Sequence, residues 1–91
     1  MEIIGSNVLD IDGHSSIEIN AHSIVYRNEV DEEGYDLEDN PYKLADRIAT
    51  IQNKWKFSID LELYVSFIKL NSKGEVVDKE LEEYMKNKIV Q

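Results

Sequence analysis

Phe57-Ser58-Ile59-Asp60-Leu61-Glu62-Leu63-Tyr64-Val65-Ser66-Phe67-Ile68-Lys69-Leu70 is the stretch on which the fold turns. Phe57, Ile59, Leu61, Leu63, Val65 and Phe67 alternate with Ser58, Asp60, Glu62, Tyr64 and Ser66. That is the period of a strand with one buried face. Leu61, Tyr64, Val65 and Ile68 also lie on one helical stripe. The aromatic and β-branched content favours the strand, so a long strand is the expectation. Asp60, Glu62 and Lys69 interrupt this most apolar segment, which is too short and too charged to span a bilayer.

Immediately upstream, Leu44, Ile48, Ile51 and Trp55 recur at i, i+4, i+7 and i+11, one face of a helix. Asn40 suits the N-cap, and Pro41 suits the first helical position because its missing N–H needs no partner there. The spacing predicts a helix over about 41–54. Trp55 sits between Lys54 and Lys56, a setting that also suits base stacking. Its phase with Ile51 assigns it to the core or to a dimer contact.

Further upstream, Ile3–Ile4, Val8–Ile11 and Ile17–Tyr26 are rich in Ile and Val and are broken by Gly5-Ser6-Asn7 and Asp12-Gly13-His14. Asp-Gly between apolar runs marks a hairpin turn, since glycine takes positive φ without strain. A β-meander is expected over roughly residues 2–27. Residues 28–40 lack apolar periodicity and read as a loop, with a turn at Gly34 and Tyr35 and Leu37 as anchors. Downstream, Asn71-Ser72-Lys73-Gly74 reads as a turn and Val76–Val77 as a short strand. Asp78 reads as the N-cap of a last helix over about 79–89, with Leu81, Met85 and Ile89 inward. The expected architecture is a single α+β domain, residues 1–91: a small antiparallel sheet with two helices packed on one face.

Charge divides the chain unevenly. Residues 1–39 hold eleven acidic side chains and one basic one, Arg27, for a net of −10. Residues 40–91 hold eight acidic and nine basic, for +1, and the whole chain carries −9. Most of the excess is the run Glu29-Val30-Asp31-Glu32-Glu33-Gly34-Tyr35-Asp36-Leu37-Glu38-Asp39. Such a block repels itself and is costly to keep compact. The net charge disfavours direct contact with nucleic acid or anionic membrane. A start of Met-Glu-Ile-Ile-Gly lacks a basic n-region, so no signal peptide is read and a cytoplasmic address is expected. With no cysteine, disulfides, thiolate metal sites and a cysteine nucleophile are excluded. Without staples, a small core holds the fold alone or a second copy helps, and a homodimer is one expectation.

The acidic run has three competing uses: a solvated loop that aids solubility, a phosphate-like surface for a basic partner, or a cation site. The surface would be built from Glu29, Asp31, Glu32, Glu33, Asp36, Glu38 and Asp39, with Asp60, Glu62, Glu80, Glu82 and Glu83 as possible extensions. Lys54, Lys56, Lys79, Lys86 and Lys88 would then lie elsewhere or be neutralised. As an EF-hand with Gly13 at loop position 6, Asp10 and Asp12 fall on positions 3 and 5. Val8 and Ile19 then occupy positions 1 and 12, so the ligand set fails. The acidic run has no glycine at position 6 and fails likewise. His14, Glu18 and His22 share a face, but three ligands along one straight strand diverge rather than converge. No G-x-S-x-G is present, and a domain this small leaves little room for a catalytic cleft. No cofactor, metal or catalytic residue is expected.

The run Glu29–Asp39 on a short cysteine-free chain resembles, in composition, the small acidic DNA-mimic proteins encoded by phages. That resemblance implies a non-enzymatic inhibitor. It would occupy the DNA-binding surface of a nucleoid-associated protein, a nuclease or another basic DNA-binding protein. The chain departs from the most acidic examples in its charge-balanced C-terminal half. The alternative is a small interaction or assembly module, in which the sheet edge or the helix face around Trp55 makes the contact and the run only aids solubility.

Overall fold

The computed structural model describes residues 1–37, 40–58 and 60–89. Five strands are followed by three helices: β1 (Glu2–Ile4), β2 (Val8–Asp10), β3 (Ser16–Ile19), β4 (Ser23–Arg27), β5 (Glu32–Asp36), α1 (Pro41–Trp55), α2 (Leu61–Asn71) and α3 (Asp78–Lys88). The strands form one antiparallel meander in the order β1-β2-β3-β4-β5. This is the α+β class expected, with three helices where the sequence suggested two.

Strict alternation builds the sheet. Leu9, Ile17, Ile19, Ile24 and Tyr26 point to one face and join a single core with Leu44, Ile48, Ile51, Tyr64, Phe67, Ile68, Leu81 and Met85 of the helices. The residues between them point to the other face, which among the described residues carries no helix. The turn after β2 follows the Asp-Gly reading. Gly13 adopts φ 85°, and Asp12 Oδ1 accepts from the His14 N–H, the Ser15 N–H and the Ser15 hydroxyl, each at 2.9 Å. Those donors, the His14 amide foremost, hold the Asp12 carboxyl below its ordinary pKa.

α1 begins as the sequence predicts. Asn40 Oδ1 accepts from the Tyr42 and Lys43 amides at 2.9 and 3.3 Å. It ends at Lys56, whose left-handed φ of 56° lets its N–H return to the Gln52 carbonyl at 2.8 Å.

The expected strand over 57–70 is instead α2 for its greater part, while Ile59 lies outside the described residues. The reason is visible in which side chains are buried. Tyr64 and Ile68 are buried together with Val65 and Phe67. Even and odd positions cannot both face the core from a strand with one buried side, whereas a helix turns them to one flank. The Asp60 carboxylate caps this helix, accepting from the Leu63 N–H at 3.1 Å. Burial pushes the Tyr64 hydroxyl well above its ordinary pKa.

Two smaller expectations also fail near α3. Val76 and Val77 form no strand, and Asp78 is the first helical residue rather than a capping one. Its carboxylate instead meets Lys69 Nζ at 2.7 Å, tying α2 to α3. Leu81, Met85 and Ile89 are buried as expected.

Candidate partner-binding surface

Residues 28–36, read as a loop, form a turn and the edge strand β5. Asn28 starts this: its Oδ1 accepts from the Val30 and Asp31 amides at 2.9 and 2.7 Å, and its own N–H donates to the Asp31 carbonyl at 3.0 Å. This side-chain turn closes the β4–β5 hairpin. Gly34 is not a turn. It sits mid-strand opposite Val25, outside the left-handed region.

Pairing with β4 distributes the run. Glu33 lies opposite Tyr26 and Tyr35 opposite Ile24, so both point to the helical side. Glu33 is bound by Lys54 of α1, which holds its carboxyl below the ordinary range and raises the lysine in turn. Tyr35 Oη accepts from Trp55 Nε1 at 3.3 Å, and partial burial lifts the phenol's pKa. Trp55 stacks on Tyr26 with ring centroids 4.6 Å apart, and Phe57 stacks on the same ring at 6.0 Å. The tryptophan is therefore core packing that pins β5, in keeping with its phase.

Glu32, Gly34 and Asp36 face the other way. Glu32 lies opposite Arg27, which donates from Nε at 2.7 Å and reaches Glu18 from Nη1 at 3.4 Å. The Glu32 hydrogen bond is the main cause of a raised Arg27 pKa. Register places Glu2, Asp10, Ser16, Arg27 and Glu32 in one row across the outer face, with Ile4, Val8, Glu18, Val25 and Gly34 in the next and Ser23 opposite Asp36 beyond. The outer face thus carries Glu2, Asp10, Glu18, Glu32 and Asp36 against the single base Arg27. Adjacent strands lie about 4.8 Å apart, inside a Debye length of about 8 Å at physiological salt, so carboxylates on neighbouring strands, such as Glu2 and Asp10, add to one another's field.

Glu29 and Asp31 occupy the turn. Glu29 Oε1 meets His14 Nδ1 of the neighbouring turn at 2.6 Å, with both side chains more than 70% exposed, so water competes strongly for the pair. Glu38 and Asp39 lie outside the described residues. Of the suggested extensions, Asp60, Glu62, Glu80, Glu82 and Glu83 belong to the helical layer on the far side of the sheet. Lys86 approaches Glu82 and Glu83, and Lys88 approaches Asp46. Glu2, Asp10 and Glu18 were legible as acids but not as one surface, because their neighbourhood depends on register across four turns. Among the described residues, no three His, Asp or Glu side chains converge as a metal site, and no helix is long and apolar enough to cross a membrane.

Compared with known proteins, the chain matches no family model, no curated protein and no solved structure.

Proposed function

We propose that the chain is a non-enzymatic, cytoplasmic binding protein that inhibits a basic DNA-binding protein by presenting carboxylates where DNA presents phosphates. One observation carries this reading. The sheet face that no described helix covers gathers Glu2, Asp10, Glu18, Glu32 and Asp36 around one arginine. A groove lined by Lys and Arg for a polyanion meets here a field of the same sign, and the complex gains from the release of condensed ions. The turn acids Glu29 and Asp31 extend the field at one end of the sheet.

The reading is best supported for a narrower set than the whole run. Glu33 points to the helical side of the sheet, where it pairs with Lys54. The working set proposed is Glu29, Asp31, Glu32 and Asp36, joined by Glu2, Asp10 and Glu18. A contact through the face around Trp55 has less support, because that ring is stacked on Tyr26 and bonded to Tyr35.

The test is capture of binding proteins from bacterial lysate by the tagged chain, with and without excess duplex DNA. The expected result is a basic DNA-binding protein that DNA displaces and whose retention falls steeply with salt. A captured partner indifferent to both DNA and salt would refute the proposal.

A further inference from the structure

The two rows of backbone groups on β5 can be assigned from the hairpin bonds. Asn28 N–H donates to the Asp31 carbonyl, and Asn20 N–H to the Ser23 carbonyl. Bonding alternates along antiparallel strands. Even-numbered residues of β4 therefore bond β5, and odd-numbered ones bond β3. On β5, Glu33 and Tyr35 bond inward to β4, while Glu32, Gly34 and Asp36 turn their N–H and C=O groups away from the sheet. No other described element pairs with that edge. β1, at the opposite edge, differs. Its Glu2 and Ile4 bond β2, Ile3 alone turns outward, and α2 packs beside it with Asn71 Nδ2 donating to the Ser6 carbonyl at 2.7 Å.

From this open edge and its charge we infer that β5 takes an extended, lysine- or arginine-rich segment of the partner as a sixth strand. The inference rests on the proposed function and specifies how the partner is held. Side chains of an added strand that lie opposite Glu32 and Asp36 share the outer face with them, so basic residues at alternate positions are matched in both register and sign. Between those two acids, Gly34 leaves a bare notch. A Cβ there would meet nothing within 4 Å, and the backbone does not require glycine, so the fold itself gives no reason for the gap. A side chain of the added strand opposite Gly34 has room to lie across it.

A second copy of this chain fits worse. Antiparallel β5–β5 pairing about Gly34 would set Glu32 directly against Asp36 of the partner copy, and like charges directly opposite are destabilising.

The probe is a synthetic peptide of alternating lysine and valine long enough to span β5. A twin of the same charge is N-methylated on every amide that would face the strand. Binding is followed by amide exchange and chemical shifts on labelled protein. The plain peptide should slow exchange at Glu32, Gly34 and Asp36 and leave Ile3 unchanged, while the twin should give no such protection. Gly34→Pro removes one outward donor without touching the β4 ladder, and should weaken the plain peptide about tenfold, the scale of one lost hydrogen bond. Gly34→Ala keeps the donor and controls for the added carbon. Equal binding of both peptides without protection at the three amides would overturn strand addition while leaving the electrostatic reading standing. Failure of both peptides to bind even at low salt would overturn the two together. Protection of the three amides in the free protein, rising with its concentration, would mean that a second copy holds the edge and would also overturn the inference.

Discussion

The two edges of the sheet solve the same problem in opposite ways. Any edge strand offers unpaired backbone groups to another chain. β1 limits that offer: it is three residues long, turns only Ile3 outward, and has α2 beside it. β5 is five residues long and turns Glu32, Gly34 and Asp36 outward, while α1 reaches its inner side through Lys54 and Trp55. Its protection is charge, through Glu32 and Asp36. A short edge offers few groups to any partner, whereas a charged edge discourages only partners of the same sign. Among the described residues, part of the acidic run lies on the longer of the two edge strands, whose outward backbone row pairs with no other strand.

The largest expected effect comes from removing what pins β5. Trp55→Ala loses the stack on Tyr26 and the bond to Tyr35. It should cost about 2 kcal/mol, less than the roughly 3–5 kcal/mol of a fully buried aromatic, because the ring is half-buried. Urea titration gives the cost, and amide exchange gives its location. Protection should fall at Glu33 and Tyr35 before it falls in β1, and equal loss at both edges would break the comparison.

A matched pair of smaller changes sharpens it. Asn28→Ala removes the acceptor that closes the β4–β5 turn, and Asn71→Ala removes the donor that ties α2 to Ser6. Each should cost about 1 kcal/mol. Exchange should quicken in β5 for the first and in β1 for the second, and the reverse pattern would contradict the assigned roles.

Gly34→Ala runs in the other direction. Glycine within a strand costs about 0.5–1 kcal/mol relative to alanine, and the added methyl meets nothing. A higher urea midpoint is expected, and a lower one would show that position 34 is constrained by the fold after all.

The smallest effect concerns pH. Lys54 lowers the folded-state pKa of Glu33, so this carboxylate contributes stability that is present above its unfolded value of about 4.3 and is lost as pH falls through the depressed folded value. The stability gap between wild type and Glu33→Gln should be constant near neutrality and close below about pH 4. A gap unchanged through that window would mean that Lys54 and Glu33 do not pair in solution.

Local signals were read well from the sequence, and signals that depend on register were not. The Asp12-Gly13 turn, the Asn40-Pro41 helix start and the Leu81–Met85–Ile89 stripe each depend on residues near one another in the chain, and each reappears in the structure. The segment 57–70 failed because its alternation and its helical stripe coexist, and only burial of both Tyr64 and Val65 separates them. β5 is not legible in the sequence because acids and a glycine are poor strand formers, and its pairing with β4 overrides that propensity. The acids of the candidate surface were named from the run alone. Glu2, Asp10 and Glu18 join it only once the register is known, and Glu33 leaves it only once Lys54 is seen beside it.

The most direct test of whether the placement of charge, rather than its total, makes the binding surface uses two variants of equal net charge. One carries Glu2→Gln, Asp10→Asn, Glu18→Gln, Glu32→Gln and Asp36→Asn on the open sheet face. The other carries Glu62→Gln, Glu75→Gln, Glu80→Gln, Glu82→Gln and Glu83→Gln on α2, α3 and the segment between them. Each is compared with wild type in lysate capture with DNA competition. The sheet-face variant should lose the DNA-displaceable basic partner while the other variant retains it. Retention by the sheet-face variant, or equal loss by both, would contradict the account.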